Sequence, residues 1–179
     1  RRGWKGVEEK EDRAAEIRLL VLDVDGVMTD GRILLGERGE EIKAFHVRDG
    51  YGLKRIIAAG VEVALITGRS SGAVARRAEE LGIQEVHQGV EDKGGLLEVL
   101  MEKRGLERRH VCCMGDDLPD LPLLEKAGLA VAVADAAVEV RNAAALITKQ
   151  WGGNGAVREI CEFLLTARGQ WPETGKSPL

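Results

Sequence analysis

The sequence is poor in aromatic residues and cysteine, and it has no long apolar segment. Only 3% of its 179 residues are aromatic, so a hydrophobic core must be built from Val, Leu, Ile and Ala. No apolar run approaches the roughly 20 residues that cross a bilayer. The opening stretch, RRGWKGVEEKEDRAAEIR, lacks the apolar part of a signal peptide. The sequence therefore predicts neither a membrane span nor a secretory leader.

The three cysteines do not form the pattern of a disulfide framework. Their number is odd, and Cys112 and Cys113 are adjacent in an apolar run. Successive side chains of a strand point to opposite faces, so this pair could not readily ligate one metal ion. We expect the pair to pack in the core, and the protein to occupy a reducing cytoplasm.

The charge balance favours no polyanionic partner. Lys and Arg number 26 against 30 Asp and Glu, which gives a net charge of −4 with both signs interspersed. Such a surface provides no electrostatic case for nucleic acid or an anionic membrane. The length suits one domain, and the chain shows no internal repeat. We expect a single domain over 1–179, with a core of about 17–168 and flexible ends.

Short apolar runs alternate with helical patterns along the chain. The predicted strands cover 17–22, 61–66, 84–87, 110–114, 129–133 and 145–147, and the predicted helices include 51–59 and 156–167. Helix caps are predicted at Asp49, at Ser70 or Ser71, and at Asp92, while Pro119 suits the first turn of a further helix. Strands that are apolar on both faces indicate a parallel sheet covered on both sides. We predict an α/β fold with a three-layer, Rossmann-like parallel sheet.

A different pattern follows the first strand. Two loosely alternating stretches, 32–35 and 40–47, flank Gly36-Glu37-Arg38-Gly39 and predict a β-hairpin. This hairpin comes directly after the acidic end of the first strand. We therefore expect it to form a small flap over that site.

Carboxylates, a hydroxyl and an amine follow the predicted strands. They are Asp23 and Asp25 after the first strand, Thr67 after the second, Lys93 after the third and Asp116 after the fourth. The carboxyl ends of parallel strands meet at one edge of the sheet, where ligands bind. Clustered carboxylates there need a cation, and oxygen ligands suit Mg²⁺. The added lysine and threonine suit phosphate, so the sequence predicts phosphoryl chemistry with Mg²⁺ held by Asp23, Asp25 and Asp116.

The same residues have predicted roles in phosphate-ester hydrolysis. Asp23 attacks phosphorus in line and forms an aspartyl-phosphate. Asp25 protonates the leaving alkoxide and then deprotonates the attacking water, while its backbone carbonyl faces the metal. Lys93 offsets the charge on Asp23 and on the phosphoryl group, and Thr67 binds the phosphoryl oxygens.

Two neighbouring acids and one glycine-rich stretch admit two interpretations each. Asp117 and Asp120 either orient the metal ligands through hydrogen bonds or stabilise a helix N-terminus by interacting with the helix dipole. The segment 151–155, WGGNG, could bind phosphate, but a turn into the last helix is the interpretation we favour.

The chain resembles a known superfamily in four separate segments. DVDGVMTDG, TGR, Lys93 and GDDLPD occur in the order of the haloacid dehalogenase superfamily motifs. The segments GEEIKAFHVRDGYGLK, ITGRSS, QGVEDK, GDDLPDLPLLEKAGLAVAVADA and GGNGAVREIC resemble its 3-deoxy-D-manno-octulosonate 8-phosphate phosphatases, over about 18–167. The resemblance implies Mg²⁺-dependent hydrolysis of a phosphorylated sugar acid in lipopolysaccharide precursor synthesis. It also implies a capless domain, which the short segments between motifs allow, and a homotetramer with sites near subunit interfaces.

The resemblance also implies the contacts with the substrate. The residues concerned are Asp25, His46, Val47, Arg48, Asp49, Gly50, Lys54, Arg69, Arg77 and Lys93. Cationic groups suit a phosphorylated sugar carboxylate. Two residues depart from the family pattern, since His46 stands where Asn is common and Lys54 where Arg is frequent.

Two other functions stay open at this point. A phosphatase for a nine-carbon, sialic-acid-type 9-phosphate would use the same catalytic residues. A signalling receiver domain also combines Mg²⁺, a phosphorylated Asp, Thr and Lys. However, a receiver carries its phosphorylated Asp after the third strand, where this chain has Val86-His87-Gln88-Gly89.

Overall fold

A six-stranded parallel sheet forms the centre of the protein in the computed structural model, which describes residues 7–171. Its strands are β1 (Leu19–Leu22), β4 (Glu62–Ile66), β5 (Glu85–His87), β6 (Val111–Gly115), β7 (Leu129–Ala132) and β8 (Leu146–Ile147). The spatial order is β5-β4-β1-β6-β7-β8. The chain thus builds the sheet outward from β1 in one direction, returns, and continues from β6 in the other. The parallel α/β sheet predicted from the sequence is confirmed.

Helices cover the sheet. They are α1 (Val7–Ala15), α2 (Val47–Ala58), α3 (Gly72–Leu81), α4 (Lys93–Arg104), α5 (Leu121–Lys126), α6 (Val138–Ala143) and α7 (Ala156–Ala167). Packing of α7 against α1 and α2 makes one group, and α5 packs against α4 and α6 in another. Buried aliphatic side chains of β1, β4, β6 and β7 fill the space between the layers, as the scarcity of aromatic residues requires.

A small hairpin precedes α2. It pairs β2 (Leu34–Leu35) with β3 (Glu41–Ile42) in antiparallel fashion. The strands are shorter than the predicted 32–35 and 40–47, since residues 43–46 form no strand and Val47 already belongs to α2. We call residues 33–45 the flap, and no cap domain accompanies it among the described residues.

Several predicted helix boundaries are correct and others are wrong. Ser71 and Asp92 cap α3 and α4, accepting hydrogen bonds from the backbone N–H groups of Ala73 and Gly95 at 3.3 and 2.8 Å. The prediction of Asp49 as the cap of α2 is wrong. The helix begins at Val47 with His46 as its N-cap, so Asp49 lies in the first turn.

Two further differences concern the ends of helices. Pro119 lies in a separate 3₁₀ turn, Leu118–Asp120, and α5 starts only at Leu121. Helix α1 lies before the core that the sequence predicted to start at about residue 17. The ends outside 7–171 lie beyond the described residues.

The cysteines lie in the core, as the sequence predicts. Cys112, Cys113 and Cys161 are free and buried, and burial raises the pKa of the Cys112 thiol above its usual range. The predicted packing role is therefore confirmed. Within residues 7–171, no helix is long and apolar enough to cross a membrane.

Candidate active site

The strand order places two acidic loops side by side. Asp23 follows β1 and Asp116 follows β6, and these strands pair in parallel with Leu22 opposite Met114. The backbone N–H of Asp23 donates to the carbonyl of Met114 at 3.2 Å. From β1 the chain adds strands on one side and from β6 it adds them on the other, so the strand order reverses between β1 and β6. Open α/β sheets bind ligands at such a point.

Gly26 lets the first loop lie directly against the second. Its φ is +96°, and a Cβ at this position would overlap the carboxylate of Asp116. Any L side chain would therefore be strained and would displace Asp116. The glycine after the two aspartates is thus required for the acidic loops to meet.

Lys93 connects three elements at this edge. Its ammonium lies 2.7 Å from Oδ1 of Asp23 and 2.6 Å from Oδ1 of Asp120. The three residues are nearly inaccessible, with 5% of Asp23 and Lys93 and 1% of Asp120 exposed. Burial alone would lower the pKa of Lys93, but the two carboxylates outweigh burial and raise it. Lys93 therefore carries its charge.

The carboxylates hold more negative charge than Lys93 neutralises. Burial, together with the charge of Asp120, raises the pKa of Asp23 from 3.8 to about 7, although Lys93 opposes the rise. Burial and the carboxylates of Asp23 and Asp120 raise the pKa of Asp116 to about 8. A bound divalent cation would supply the missing positive charge.

The same carboxylates fit a hard metal ion. One oxygen each from Asp23, Asp116 and Asp120 lie within 4.8 Å of one another. Asp120 already accepts from Lys93 and from the backbone N–H groups of Asp116 and Asp117, the last two at 2.9 and 3.4 Å. Asp23 and Asp116 are consequently the better-placed ligands, and Asp120 holds Lys93 and the second loop. Carboxylate oxygens are the donors that Mg²⁺ prefers.

Asp117 and Asp120 have different positions. Asp117 is exposed, and its Oδ1 accepts from the backbone N–H of Leu118 at 2.8 Å, which caps the 3₁₀ turn. Asp120 is buried against Lys93. Of the two interpretations drawn from sequence, the cap therefore describes Asp117 and the supporting position describes Asp120.

Thr67 directly follows β4, the neighbour of β1. It is 2% exposed, and its backbone N–H donates to the carbonyl of His87 at 3.0 Å. Its own carbonyl accepts from the N–H of Val90 at 3.1 Å. The turn after β4 is thereby fixed at the same edge of the sheet as Asp23.

The flap contributes a residue that the sequence analysis missed. Lys43, directly after β3, pairs with Oδ1 of Asp25 and lies 2.8 Å from Oε1 of Glu41. Glu41 also pairs with Arg69 at 2.5 Å. The hydrogen bonds to Lys43 and Arg69 lower the pKa of Glu41 well below its usual range. A lysine inside the otherwise apolar stretch Ile42–Phe45 was the available sequence signal.

Most predicted substrate contacts form a separate group on α2 and α3. Arg77 stacks over Phe45 at 5.8 Å and pairs with Glu80 at 2.8 Å, and a Cβ on Gly50 would overlap its guanidinium. Lys54, Val47 and Arg48 are exposed, and His46 is half-buried. No ion pair within residues 7–171 joins these residues to Asp23 or Asp25, and their part in substrate binding stays a prediction.

Asp49 occupies an unusual position in that group. It is 2% exposed, and its Oδ1 accepts from the backbone N–H of Arg158, in the first turn of α7, at 2.8 Å. Burial raises the pKa of Asp49. The geometry thus joins α2 to the N-terminus of α7 through this carboxylate.

The glycine-rich segment before α7 packs on the loop that follows β1, residues Asp23–Asp30. The N–H of Gly153 donates to the carbonyl of Val27 at 2.9 Å, and that of Gly152 donates to Oδ1 of Asp135 at 2.9 Å. A Cβ on Gly152 would overlap the carbonyl oxygen of Gly26. The segment supports the backbone of the Asp23–Asp30 loop, in agreement with a turn into α7.

Comparison with known proteins agrees with this geometry. Residues 85–160 match the family model of haloacid dehalogenase-like hydrolases. Over 161 residues the chain is 48% identical to the 3-deoxy-D-manno-octulosonate 8-phosphate phosphatase KdsC of Escherichia coli K12, covering 90% of this chain and 86% of that protein. The chain belongs to this phosphatase family. It is a phosphoric monoester hydrolase, and the receiver-domain alternative is set aside.

Solved structures of family members have the same fold. The enzyme from Moraxella catarrhalis, in complex with magnesium ion, phosphate ion and KDO, is 43% identical, with a TM-score of 0.90 over 93% of this chain and 95% of that chain. The cobalt-bound form from Haemophilus influenzae is 39% identical, with a TM-score of 0.84 over 88% and 92%. The capless, three-layer architecture predicted for this phosphatase is thereby confirmed.

Proposed function

We propose that this chain hydrolyses 3-deoxy-D-manno-octulosonate 8-phosphate to the free sugar acid and inorganic phosphate during lipopolysaccharide precursor synthesis. The observation that carries the proposal is the group formed by the buried Asp23 and Lys93 and the half-buried Asp116. In it the proposed nucleophile, Asp23, forms an ion pair with the Lys93 ammonium and belongs to a group of carboxylates that could bind a metal ion. The family relationship supports the choice of substrate.

Asp23 acts as the nucleophile in this proposal. Its carboxylate attacks phosphorus opposite the leaving sugar oxygen, so one P–O bond forms as another breaks and an aspartyl-phosphate results. Lys93, 2.7 Å from Asp23, holds the carboxylate in place and balances charge that develops on the phosphoryl group. Thr67, at the neighbouring strand end, donates a hydrogen bond from its hydroxyl group to a phosphoryl oxygen.

Asp25 moves the protons. It gives a proton to the departing alkoxide in the first step and takes one from the hydrolytic water in the second. Asp23 and Asp116 would hold Mg²⁺, together with the backbone carbonyl of Asp25. Bound Mg²⁺ would screen the negative charges of the carboxylates and the phosphoryl group from one another.

The sugar portion is bound by the group around α2 and α3. We assign these contacts to the residues predicted from the resemblance: His46, Val47, Arg48, Asp49, Gly50, Lys54, Arg69 and Arg77, with Asp25 and Lys93 at the phosphate. Asp49 contributes through the position of α2, because its carboxylate is buried against α7. The cationic members suit the carboxylate of a sugar acid.

The proposal includes the assembly and its compartment. We propose a homotetramer of single capless domains in the cytoplasm, with active sites near subunit interfaces. Large apolar side chains are exposed on and beside the flap: Ile33, Leu34, Leu35, Ile42 and Val47. Exposed apolar patches of this kind mark protein–protein contacts, and they support a neighbour packed beside each site.

Steady-state phosphate release in the presence of Mg²⁺ tests the proposal. The eight-carbon sugar-acid 8-phosphate should give the highest kcat/KM among eight- and nine-carbon substrates. Asp23→Asn should lower kcat at least about 10³-fold, as loss of a nucleophile does, whereas Asp12→Asn on the exposed face of α1 should not. Full turnover by Asp23→Asn would refute the mechanism, and turnover that survives chelation would refute the metal assignment.

A nine-carbon sugar-acid 9-phosphate is the second candidate, because His46 and Lys54 depart from the eight-carbon family pattern. The variants His46→Asn and Lys54→Arg restore that pattern. If the departures serve the longer substrate, the parent should prefer it and the double variant should regain preference for the eight-carbon ester. If the parent already prefers the eight-carbon substrate, this second candidate is excluded.

A further inference from the structure

Lys43 is a buried cation on an otherwise exposed element. Its side chain is 1% exposed, while Leu35 and Ile42 on the flap are 69% and 53% exposed. The ammonium pairs with Asp25, whose side chain is 18% exposed, and lies 2.8 Å from Glu41. A buried lysine is unfavourable without anionic partners, so the flap position and the ion pair depend on each other.

A second ion pair attaches the same flap to another catalytic loop. Glu41 pairs with Arg69 at 2.5 Å, and Arg69 lies two residues after Thr67. The flap is therefore held at the loop that carries Asp25 and at the loop that carries Thr67. The side chain that forms an ion pair with Asp25 belongs to the flap.

We propose that Lys43 is a positioning residue for Asp25 in leaving-group protonation. This inference rests on the proposed phosphatase mechanism. Lys43 holds Oδ1 of Asp25, which leaves Oδ2 to carry the proton toward the departing oxygen. As the P–O bond to the leaving group breaks and the bond to Asp23 forms, that proton moves from Asp25 to the alkoxide. With the flap displaced, Asp25 loses this fixed orientation.

The proposal predicts a dependence on the leaving group. An alkoxide is a poor leaving group and needs the proton, whereas p-nitrophenolate departs without it. Lys43→Met should lower kcat/KM for an alkyl phosphate about 10²-fold, the lower range of general acid catalysis, with less than about a threefold change in KM. The ratio kcat/KM reports formation of the aspartyl-phosphate and not its hydrolysis, in which Asp25 acts for every ester. The loss with p-nitrophenyl phosphate should stay below about fivefold, and Lys43→Arg should recover most of the alkyl activity.

Two controls separate positioning from a general structural effect. Arg32→Met alters a side chain at the base of the flap that is 81% exposed, and it should leave both activities unchanged. In an Asp25→Asn background, Lys43→Met should cause no further loss with the alkyl ester, because both changes remove the same function. Thermal unfolding of each variant shows whether it is folded.

Two outcomes would overturn the inference. They are equal losses of kcat/KM on alkyl and aryl esters in Lys43→Met, and full additivity of Lys43→Met with Asp25→Asn. Both outcomes are measured on generic phosphate monoesters, so they do not depend on the physiological sugar. Failure of the parent to hydrolyse either sugar-acid phosphate, with normal generic activity, would instead refute the proposed substrate.

Discussion

The surroundings of Asp23 and Asp116 determine the pKa values of their carboxyl groups. An ordinary Asp titrates near 3.8, but these two have pKa values of about 7 and about 8. Burial is the first cause in each case, and the neighbouring carboxylates are the second. The cluster therefore binds protons, or a metal ion in their place.

This competition predicts how Mg²⁺ stabilises the protein as pH changes. Between pH 4 and about 8, the metal-free native state holds protons on Asp23 and Asp116 that the unfolded chain has released. The native state therefore loses stability as pH rises through this interval. Mg²⁺ must displace the same protons, so the increase in Tm on adding Mg²⁺ should be larger at pH 8 than at pH 6.

Thermal unfolding with and without Mg²⁺ at pH 6, 7 and 8 measures this effect. Asp116→Asn removes one proposed ligand and should abolish most of the Mg²⁺-dependent shift at each pH. If the increase in Tm on adding Mg²⁺ were the same at pH 6, 7 and 8, the carboxylates with raised pKa values would not be the ones that bind the metal ion.

Asp49 gives a second prediction at the level of single residues. Its Oδ1 accepts from the N–H of Arg158, whereas its buried Oδ2 has no hydrogen-bond partner among the described residues. Asp49→Ala leaves the partly buried N–H of Arg158 without its side-chain acceptor and should lower the free energy of unfolding by about 1–3 kcal/mol. Asp49→Asn keeps an acceptor and should stay within about 1 kcal/mol of the parent at pH 7.

The pH dependence of this pair has a defined sign. Because burial raises the pKa of Asp49, the parent loses stability as pH rises through that value, and the Asn variant does not. Urea unfolding at pH 5 and pH 8 should therefore show Asp49→Asn gaining on the parent at the higher pH. Equal destabilisation by Ala and Asn would show that the hydrogen bond to α7 contributes little.

Among the elements, the loop after β1 depends on its neighbours more than on its own sequence. Gly152 lies so close to the carbonyl of Gly26 that a Cβ would overlap it. Gly152→Ala should therefore displace the Asp23–Asp30 loop, lower the free energy of unfolding by about 1–3 kcal/mol, and reduce kcat. Gly72→Ala is the matched control in α3, because no atom lies within 4 Å of its added Cβ.

The control should be neutral or stabilise α3 by up to about 1 kcal/mol, since Ala favours a helix over Gly. Chemical unfolding and phosphate release on the two variants separate the effects. Unchanged activity in a folded Gly152→Ala protein would mean that the segment 151–155 does not hold the catalytic loop in position.

Local sequence signals predicted most of the scaffold but not the contacts made across it. Helix α7 runs over 156–167 as its apolar spacing predicts, and Ser71 and Asp92 cap helices as expected. The start of α2 was misplaced because Asp49 has the character of a cap residue but bonds to α7, 109 residues away. Local pattern contains no information about such a partner.

The candidate site shows the same division. Asp23, Thr67, Lys93 and Asp116 follow strand ends, so parallel topology alone predicts that they meet. Lys43 was missed because it lies on the flap, and its role depends on how the hairpin folds back over Asp25. Two-residue strands carry too little alternation to define that geometry.

At the scale of the whole molecule, the flap has the apolar surface that would be expected to contact another subunit. It exposes several large aliphatic side chains on a hairpin of only two residue pairs. Such a hairpin gains little stability by itself. Its ion pairs attach it to the active site from one side, and a neighbouring subunit could bury the apolar surface on the other.

Substitution of Leu35, which is 69% exposed, tests whether this surface forms the proposed tetramer interface. Burying a leucine contributes about 1.5–3 kcal/mol, and a buried, unpaired aspartate adds a penalty in every subunit. Leu35→Asp should therefore convert the tetramer to smaller species in sedimentation velocity and lower kcat/KM for the sugar-acid phosphate. Val99→Asp, at a 58% exposed position on α4, should keep the parent's sedimentation coefficient. If the Leu35→Asp protein remains tetrameric at the lowest measurable concentration, the interface lies elsewhere. If it dissociates but keeps full activity, each active site is complete within one chain.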